Sequence, residues 1–319
     1  MVHHDPMTGQ RTASHSPLFG ERRGPDRRAA DDAAPTLAEV LEHVERLWPR
    51  SLAESWDAVG PVAGRPEAPV RRILWAVDPV RTVVDEAVEA GADLVITHHP
   101  LLLRGVTSVA ATGHGAAYKG ELLHTLIEHG IGLVAAHTNA DSAVGGVSDV
   151  LAQAIGLEDL RPLQPSGAGT DAEGIGRVGV LPAPVSLAEL AGRVHRVLPG
   201  VAGGVRAAGD AEGEVRTVAV CGGAGDSLFD AVRASGADAY VTADLRHHPA
   251  SEAREAARLT GGRPFLVDVS HWASEWLWLP VGARALEEAL HAAGRTVESI
   301  VSTRVTDPWD YVITERNAP

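Results

Sequence analysis

The chain has 319 residues, 45% of them hydrophobic, with a formal net charge of −14 and one cysteine, Cys221. That composition supports a sizeable core in one large or two ordinary domains, and excludes a disordered, collagenous or disulfide-stapled protein. The acidic balance argues against general nucleic-acid binding, the lone cysteine predicts a reducing, cytoplasmic setting, and no apolar run reaches the ~18–20 residues of a membrane span.

Residues 1–34 carry Pro, Gly, Ser, Arg and Asp with no apolar period, five Arg against five acids, and predict a disordered, net-neutral tail. From Thr36 the pattern turns helical, with Leu37, Val40, Leu41, Val44 and Leu47 on one face. Thr36 and Glu39 have the spacing of a capping box. Ser55 to Gly64 reads as a Gly-punctuated loop. Ile73–Val77, Leu94–Thr97 and Leu133–Ala136 then read as strands, with helices over Val80–Ala90 and Lys119–His129 between them. Gln164 to Ile175 reads as a connector. After it come a helix over Leu187–Val197, a strand over Val215–Val220, a helix over Ser227–Ala234 and a strand over Tyr240–Thr242. This alternation predicts an α/β fold with covered sheets.

An internal repeat organises the chain. Arg71 to Pro100 and Arg216 to Pro249 share strand, helix, Gly-Ala-Asp, strand, Thr, His-His and Pro in the same order. The repeat predicts two similar α/β lobes, 35–165 and 166–319, with chemistry at the carboxyl ends of the repeated strands.

Three strand ends carry ligand-type side chains. In Thr97-His98-His99-Pro100 the two imidazoles point opposite ways, which suits two metals better than one; one buried and one exposed histidine is the plain alternative. His137 and Asp141 follow the next strand, although Asn139 and Asp141 could simply make turns. After the apolar run Pro264–Val269, His271 and Glu275 stand at i and i+4 on one helical face, with Trp272, Trp276 and Trp278 to wall a site. Imidazole and carboxylate without thiolate suit Zn, Fe, Mn, Ni or Co, and Glu275 is long enough to bridge two divalent ions.

Other chemistries lack support. There is no G-x-S-x-G elbow, and Lys119, the only lysine, follows no phosphate-binding glycine loop. Cys221 to Ser227 reads as a tight strand-to-helix turn, with a backbone N–H cradle for an anion as the alternative. Asp244, His247 and His248, the repeat's shifted counterpart of the His pair, are expected to line the pocket. His43, His114, His124, His129, His195 and His291 are expected at the surface or in caps.

The segments WDAVG, GADLVITHHPLLLRG, AAHTNADSAVGGVSDVLA, CGGAGDS, GADAYVTADLRHH and SHWASE occur in an order that resembles the GTP cyclohydrolase I type 2 homologues, the Nif-three-like dinuclear-metal hexameric proteins. The resemblance runs from about Leu37 to Thr306. It implies two lobes facing each other across a dimetal site, and a ring-shaped homohexamer. By position it implies metal ligands at His98, His99, Asp141, His271 and Glu275, with Glu275 bridging, and moves His137 to the pocket beside them. Three departures stand out: Ala58 where Asn is common, Ala243 where Gly is common, and a stretch from Pro165 to Ala211 too short for the extra domain some relatives carry. The implied activity is hydrolytic opening of a purine nucleotide or other cyclic amide by metal-hydroxide attack. Arg104 and Arg246 are the only nearby cations for a triphosphate. The competing class is a non-enzymatic metal carrier or regulatory scaffold.

Overall fold

The computed structural model describes residues 33–113 and 115–313. His114, and all but the last two residues of the expected 1–34 tail, lie outside the described residues. Of those two, Ala33 accepts a backbone hydrogen bond from Thr296 at 3.0 Å. No helix among the described residues is long and apolar enough to cross a membrane.

The first half comprises α1 (Leu37–Leu47), β1 (Gly60–Ala63), β2 (Arg72–Ala76), α2 (Arg81–Ala90) and β3 (Leu94–Thr97). It continues with α3 (Ala117–Glu128), β4 (Gly132–Ala135), α4 (Thr138–Ser142) and α5 (Val147–Ile155). The second half begins with β5 (Glu158–Pro165), β6 (Gly174–Ser186), α6 (Leu187–Val197), β7 (Arg206–Ala208) and β8 (Glu214–Ala224). It ends with α7 (Phe229–Ser235), β9 (Ala239–Ala243), α8 (His247–Ala257), β10 (Phe265–Val269), α9 (His271–Trp276), α10 (Leu279–Ala292) and β11 (Glu298–Val301).

These elements build two mixed sheets, ordered β1-β4-β3-β2-β11 and β5-β6-β8-β9-β10-β7. The first is parallel except for β1, and the second is parallel through β8, β9 and β10. Strands β3, β4, β9 and β10 are buried along their whole length, which explains their unbroken apolar runs. Each sheet is covered on both faces. Val83, Val84, Leu122 and Leu126 pack on one side of the first, and Leu37, Val40 and Leu286 on the other. Leu151 and Leu190 cover one side of the second, Phe229 and Val232 the other.

The repeat has a physical basis. In each copy a left-handed glycine, Gly91 (φ 62°) or Gly236 (φ 74°), ends the helix. Two residues later a carboxylate accepts two backbone N–H groups at the start of the preceding strand. Asp93 takes those of Arg71 and Arg72 at 2.7 and 3.0 Å, and Asp238 those of Arg216 and Thr217 at 2.9 and 2.8 Å.

The sheets do not divide at residue 165. Strand β5 already pairs with β6 in the second sheet, and β11 crosses back to pair with β2 in the first. The expected loop at Ser55 to Gly64 contains all of β1, whose Pro61 is tolerated because the strand is an edge. The Gln164 to Ile175 connector is shorter than expected, because β5 and β6 continue into it as a hairpin.

Candidate metal centre

Four strand ends converge. His98 and His99 follow β3 and still donate backbone N–H groups to Ala76 and Val77, at 3.1 and 2.9 Å, so they continue the extended strand. Their rings therefore diverge. His98 is wholly buried, with Nδ1 2.9 Å from the Ala136 carbonyl, and His99 Nδ1 lies 2.7 Å from Asp78 Oδ1. His137 follows β4, its Nδ1 2.9 Å from Asp57 Oδ1, and one turn of α4 then delivers Asp141. Ser270 follows β10 and caps α9 by accepting from the Ala273 N–H at 3.2 Å, which sets His271 and Glu275 on one face. His271 Nδ1 lies 2.7 Å from Asp244 Oδ2.

Each imidazole thus has Nδ1 fixed by a carbonyl or carboxylate, so Nδ1 carries the proton and Nε2 is left for the centre. Glu275 sits between them. Its Oε1 is 2.9 Å from His271 Nε2 and 3.4 Å from His98 Nε2, and its Oε2 is 3.0 Å from His99 Nε2. His99 and His271 bring their Nε2 atoms to 3.2 Å, and Asp141 Oδ1 is 3.7 Å from His98 Nε2. Two groups have the ligand spacing of a metal site: His98, His99 and His137, and His99, His271 and Glu275. The fit to cations rests on His98 Nε2 and Asp141 Oδ1, buried atoms that make no hydrogen bond, and on Glu275 Oε2, whose neighbour at 3.0 Å is itself a ligand-type nitrogen, His99 Nε2. Such atoms are costly unless something pairs with them.

The electrostatics agree. Burial alone would push the Glu275 carboxyl up, but His271, His99 and His98 outweigh it and hold it well below the usual range. Burial would likewise lower the imidazoles, yet Glu275 and the supporting aspartates raise His99 to about 10 and His271 to about 11. His98 is raised too, against its burial, by Glu275 and Asp141. Burial raises Asp141. Asp57 moves down despite its burial, because His137 and Thr138 donate to it.

The end of β8 supplies the remaining wall. Gly223 (φ 70°) stands against the cluster, where a Cβ would collide with Glu275 Oε1 and lie 3.2 Å from His271 Nε2. The glycine turn is not an anion cradle: the N–H groups of Gly222 and Gly223 donate to Ser148 Oγ and Ser274 Oγ at 3.3 and 2.9 Å. Two cavities flank the cluster. One of about 560 Å³ is lined by Trp56, His137, Asp141, Cys221 and Glu275 among others. The second, about 550 Å³, is lined by Asp78, Asp244, Trp272, Thr306 and Trp309 among others. His99 and His271 border both.

Residues 35–308 match the profile of Duf34/NIF3 (NGG1p interacting factor 3). The chain belongs to the Duf34/NIF3 family. It is 53% identical over 276 residues to a GTP cyclohydrolase 1 type 2 homolog of Streptomyces coelicolor, a match covering 86% of this chain and 94% of that one. Among solved structures it is similar to a Bacillus cereus protein related to NIF3, with a TM-score of 0.76 and 24% identity over 88% of this chain and 99% of that chain. It also resembles a Staphylococcus aureus hypothetical protein, with a TM-score of 0.74 and 27% identity over 87% and 99%.

For this family member the structure gathers His98, His99, His137, Asp141, His271 and Glu275, keeps Asp244 beside His271, and separates His247 and His248. His247 and His248 do not line the cluster cavities. Asp244 (φ 55°) turns the chain out of β9, and α8 then carries both rings to the surface, where they pack on each other with centroids 5.3 Å apart. Ala243 stays in the strand opposite Val269, so the turn does not need glycine there. Trp278 belongs to the core, in a cluster with Trp48 and Trp75, while also backing the His98 ring with centroids 5.8 Å apart, and Trp276 donates Nε1–H to the Ser302 carbonyl at 2.8 Å. Trp272 is largely buried, with an edge on the second cavity. The aromatic wall beside His137 is Trp56, edge-on at 5.9 Å. Asp57 and Asp78 were not legible as supports. Asp57 lies 80 residues from the ring it holds, and the only signal for Asp78 was a carboxylate just past a repeated strand. Arg246 is taken up by Asp226, and no Arg or Lys is among the described residues lining the cavity beside Trp56 and His137.

Proposed function

We propose that this Duf34/NIF3 protein is a dinuclear metal protein acting as a metal-dependent hydrolase. The observation that carries this reading is the set of buried, unpaired donor atoms facing one another around Glu275. His99, His271 and Glu275 would hold one divalent ion, and His98, Asp141 and Glu275 the other, between two similar lobes. Bound together, two such ions supply Lewis acidity, bringing water toward a pKa of about 7 and polarising the attacked carbon. The chain's own residues do the rest. Asp78 and Asp244 orient the His99 and His271 rings, and Asp57 fixes His137 so that its Nε2 can hold or pass a proton at the cavity wall. Trp56 shields that imidazole from bulk water on one side.

The cavity lining favours the ring of a purine or another cyclic amide over phosphate groups, because imidazole, carboxylate and apolar groups face it without Arg or Lys. A homohexamer is part of the same proposal, on the family resemblance. The competing reading, a metal carrier or scaffold, draws on one observation: the centre borders two cavities and is reachable from both. Incubating metal-loaded protein with GTP, while following formate and guanine absorbance, separates the two. Turnover that vanishes in Glu275→Ala supports the hydrolase. Absent turnover across GTP and a cyclic-amide panel, with ready ion transfer to an acceptor protein, supports the carrier.

A further inference from the structure

Past β11 the chain does not leave the molecule. Ser302 fastens it: its N–H donates to the Trp75 carbonyl at 2.8 Å, its Oγ donates to Glu86 Oε2 at 2.6 Å, and its carbonyl accepts from Trp276 Nε1 at 2.8 Å. The segment then crosses the second cavity and forms one wall of it with Thr306, Asp307, Pro308 and Trp309. Two consecutive side chains of this strap reach the supports of the centre. The Thr306 hydroxyl donates to Asp78 Oδ2, while Asp78 Oδ1 takes the His99 Nδ1 proton at 2.7 Å. Asp307 Oδ2 accepts from the hydroxyl of Ser270, the residue that caps α9 and so sets His271 and Glu275. Asp307 is itself held, because its Oδ1 accepts from the Trp309 N–H at 3.1 Å.

We propose that Thr306 and Asp307 are positioning residues for the metal centre, stapling the His99 support of the first sheet to the α9 support of the second. The inference rests on the two-metal reading and adds residues that touch neither ion. A carboxylate held at both oxygens cannot swing, so Asp78 keeps the His99 ring in one plane. A cap serine held by Asp307 keeps the first turn of α9 from fraying, and with it the direction of Glu275. The two roles differ in reach. Thr306 acts through His99 alone, which serves one ion. Asp307 acts through α9, whose Glu275 faces both.

The test is titration of metal-free protein with Co²⁺, read by calorimetry and by the visible ligand-field spectrum, beside the thermal midpoint of each metal-free variant. Thr306→Val should weaken one of two binding events by roughly 10–100-fold, the usual cost of removing a support behind a ligand, and leave the other unchanged. Thr306→Ser, which keeps the hydroxyl, should restore it. Asp307→Ala should weaken both events and alter the spectrum of each. Wild-type affinities in Thr306→Val, or equal loss at both sites with a lowered thermal midpoint and no rescue by serine, would overturn the positioning role alone. Wild-type protein that takes up no Co²⁺ would overturn the two-metal reading and this inference together.

Discussion

Glu275 is the residue on which the centre turns, since its Oε1 faces the Nε2 atoms of His98 and His271 and its Oε2 that of His99. Glu275→Ala should abolish binding of both ions, whereas Asp141→Ala should lose one. Elemental analysis of protein purified without chelator distinguishes the two outcomes as near zero against near one ion per chain. Gly223 makes a second, steric demand. Gly223→Ala puts a methyl group against Glu275 Oε1 at a positive φ, so metal content should fall while the circular-dichroism spectrum stays that of the folded protein. The imidazoles add a pH dependence. With His99 raised to about 10 and His271 to about 11, an arriving cation competes with protons for their Nε2 atoms at pH 7. Apparent affinity should therefore rise with pH, about tenfold per unit for each proton displaced, until pH passes those values. Calorimetry in buffers of different ionisation enthalpy measures the released protons directly.

At the scale of elements, a buried ion pair holds the polar loop in place. Arg177 of β6 meets Asp149 of α5 at 2.6 and 2.8 Å, and its remaining donors reach the carbonyls of Gly174, Gly176 and Ala143. Asp149 also accepts the Gly145 N–H at 2.7 Å, so the pair pins the turn that follows Asp141. Asp149→Ala leaves a guanidinium buried without its counter-charge and should cost about 3–5 kcal/mol in urea unfolding. The same variant should weaken the ion served by Asp141 more than the other. The elements themselves were legible where local chemistry decides. The Thr36–Glu39 box forms, with the Thr36 N–H 2.8 Å from Glu39 Oε2, and helix α6 runs over Leu187–Val197 as its periodicity predicts. The buried strands were legible from their apolar runs. Strands β1, β7 and β11 were not, because short edge strands are specified by the neighbour they pair with. The candidate ligand residues showed themselves as polar groups just past apolar strands, whereas Asp57 and Asp78 become visible as supports only once the fold has closed the distance, and Asp244, expected at the pocket, shows only there that it holds the His271 ring.

For the whole molecule, the arrangement of two sheets with ligands at their carboxyl ends makes assembly the next question. Light scattering of metal-loaded protein at micromolar concentration should give a mass near six chains of 33.4 kDa; a monomer would remove the hexamer from the proposal. The two cavities also change how the centre must be pictured. His99 and His271 stand as a partition with open space on either side, not as the floor of a cleft. If the centre works as proposed, traffic on the two sides is separable: a substrate would arrive past Trp56 and His137, while an ion or a product would exchange beneath the strap at Trp309. An obstruction at one mouth would then slow one of these exchanges and spare the other, so the proposed catalysis and metal exchange need not share a door.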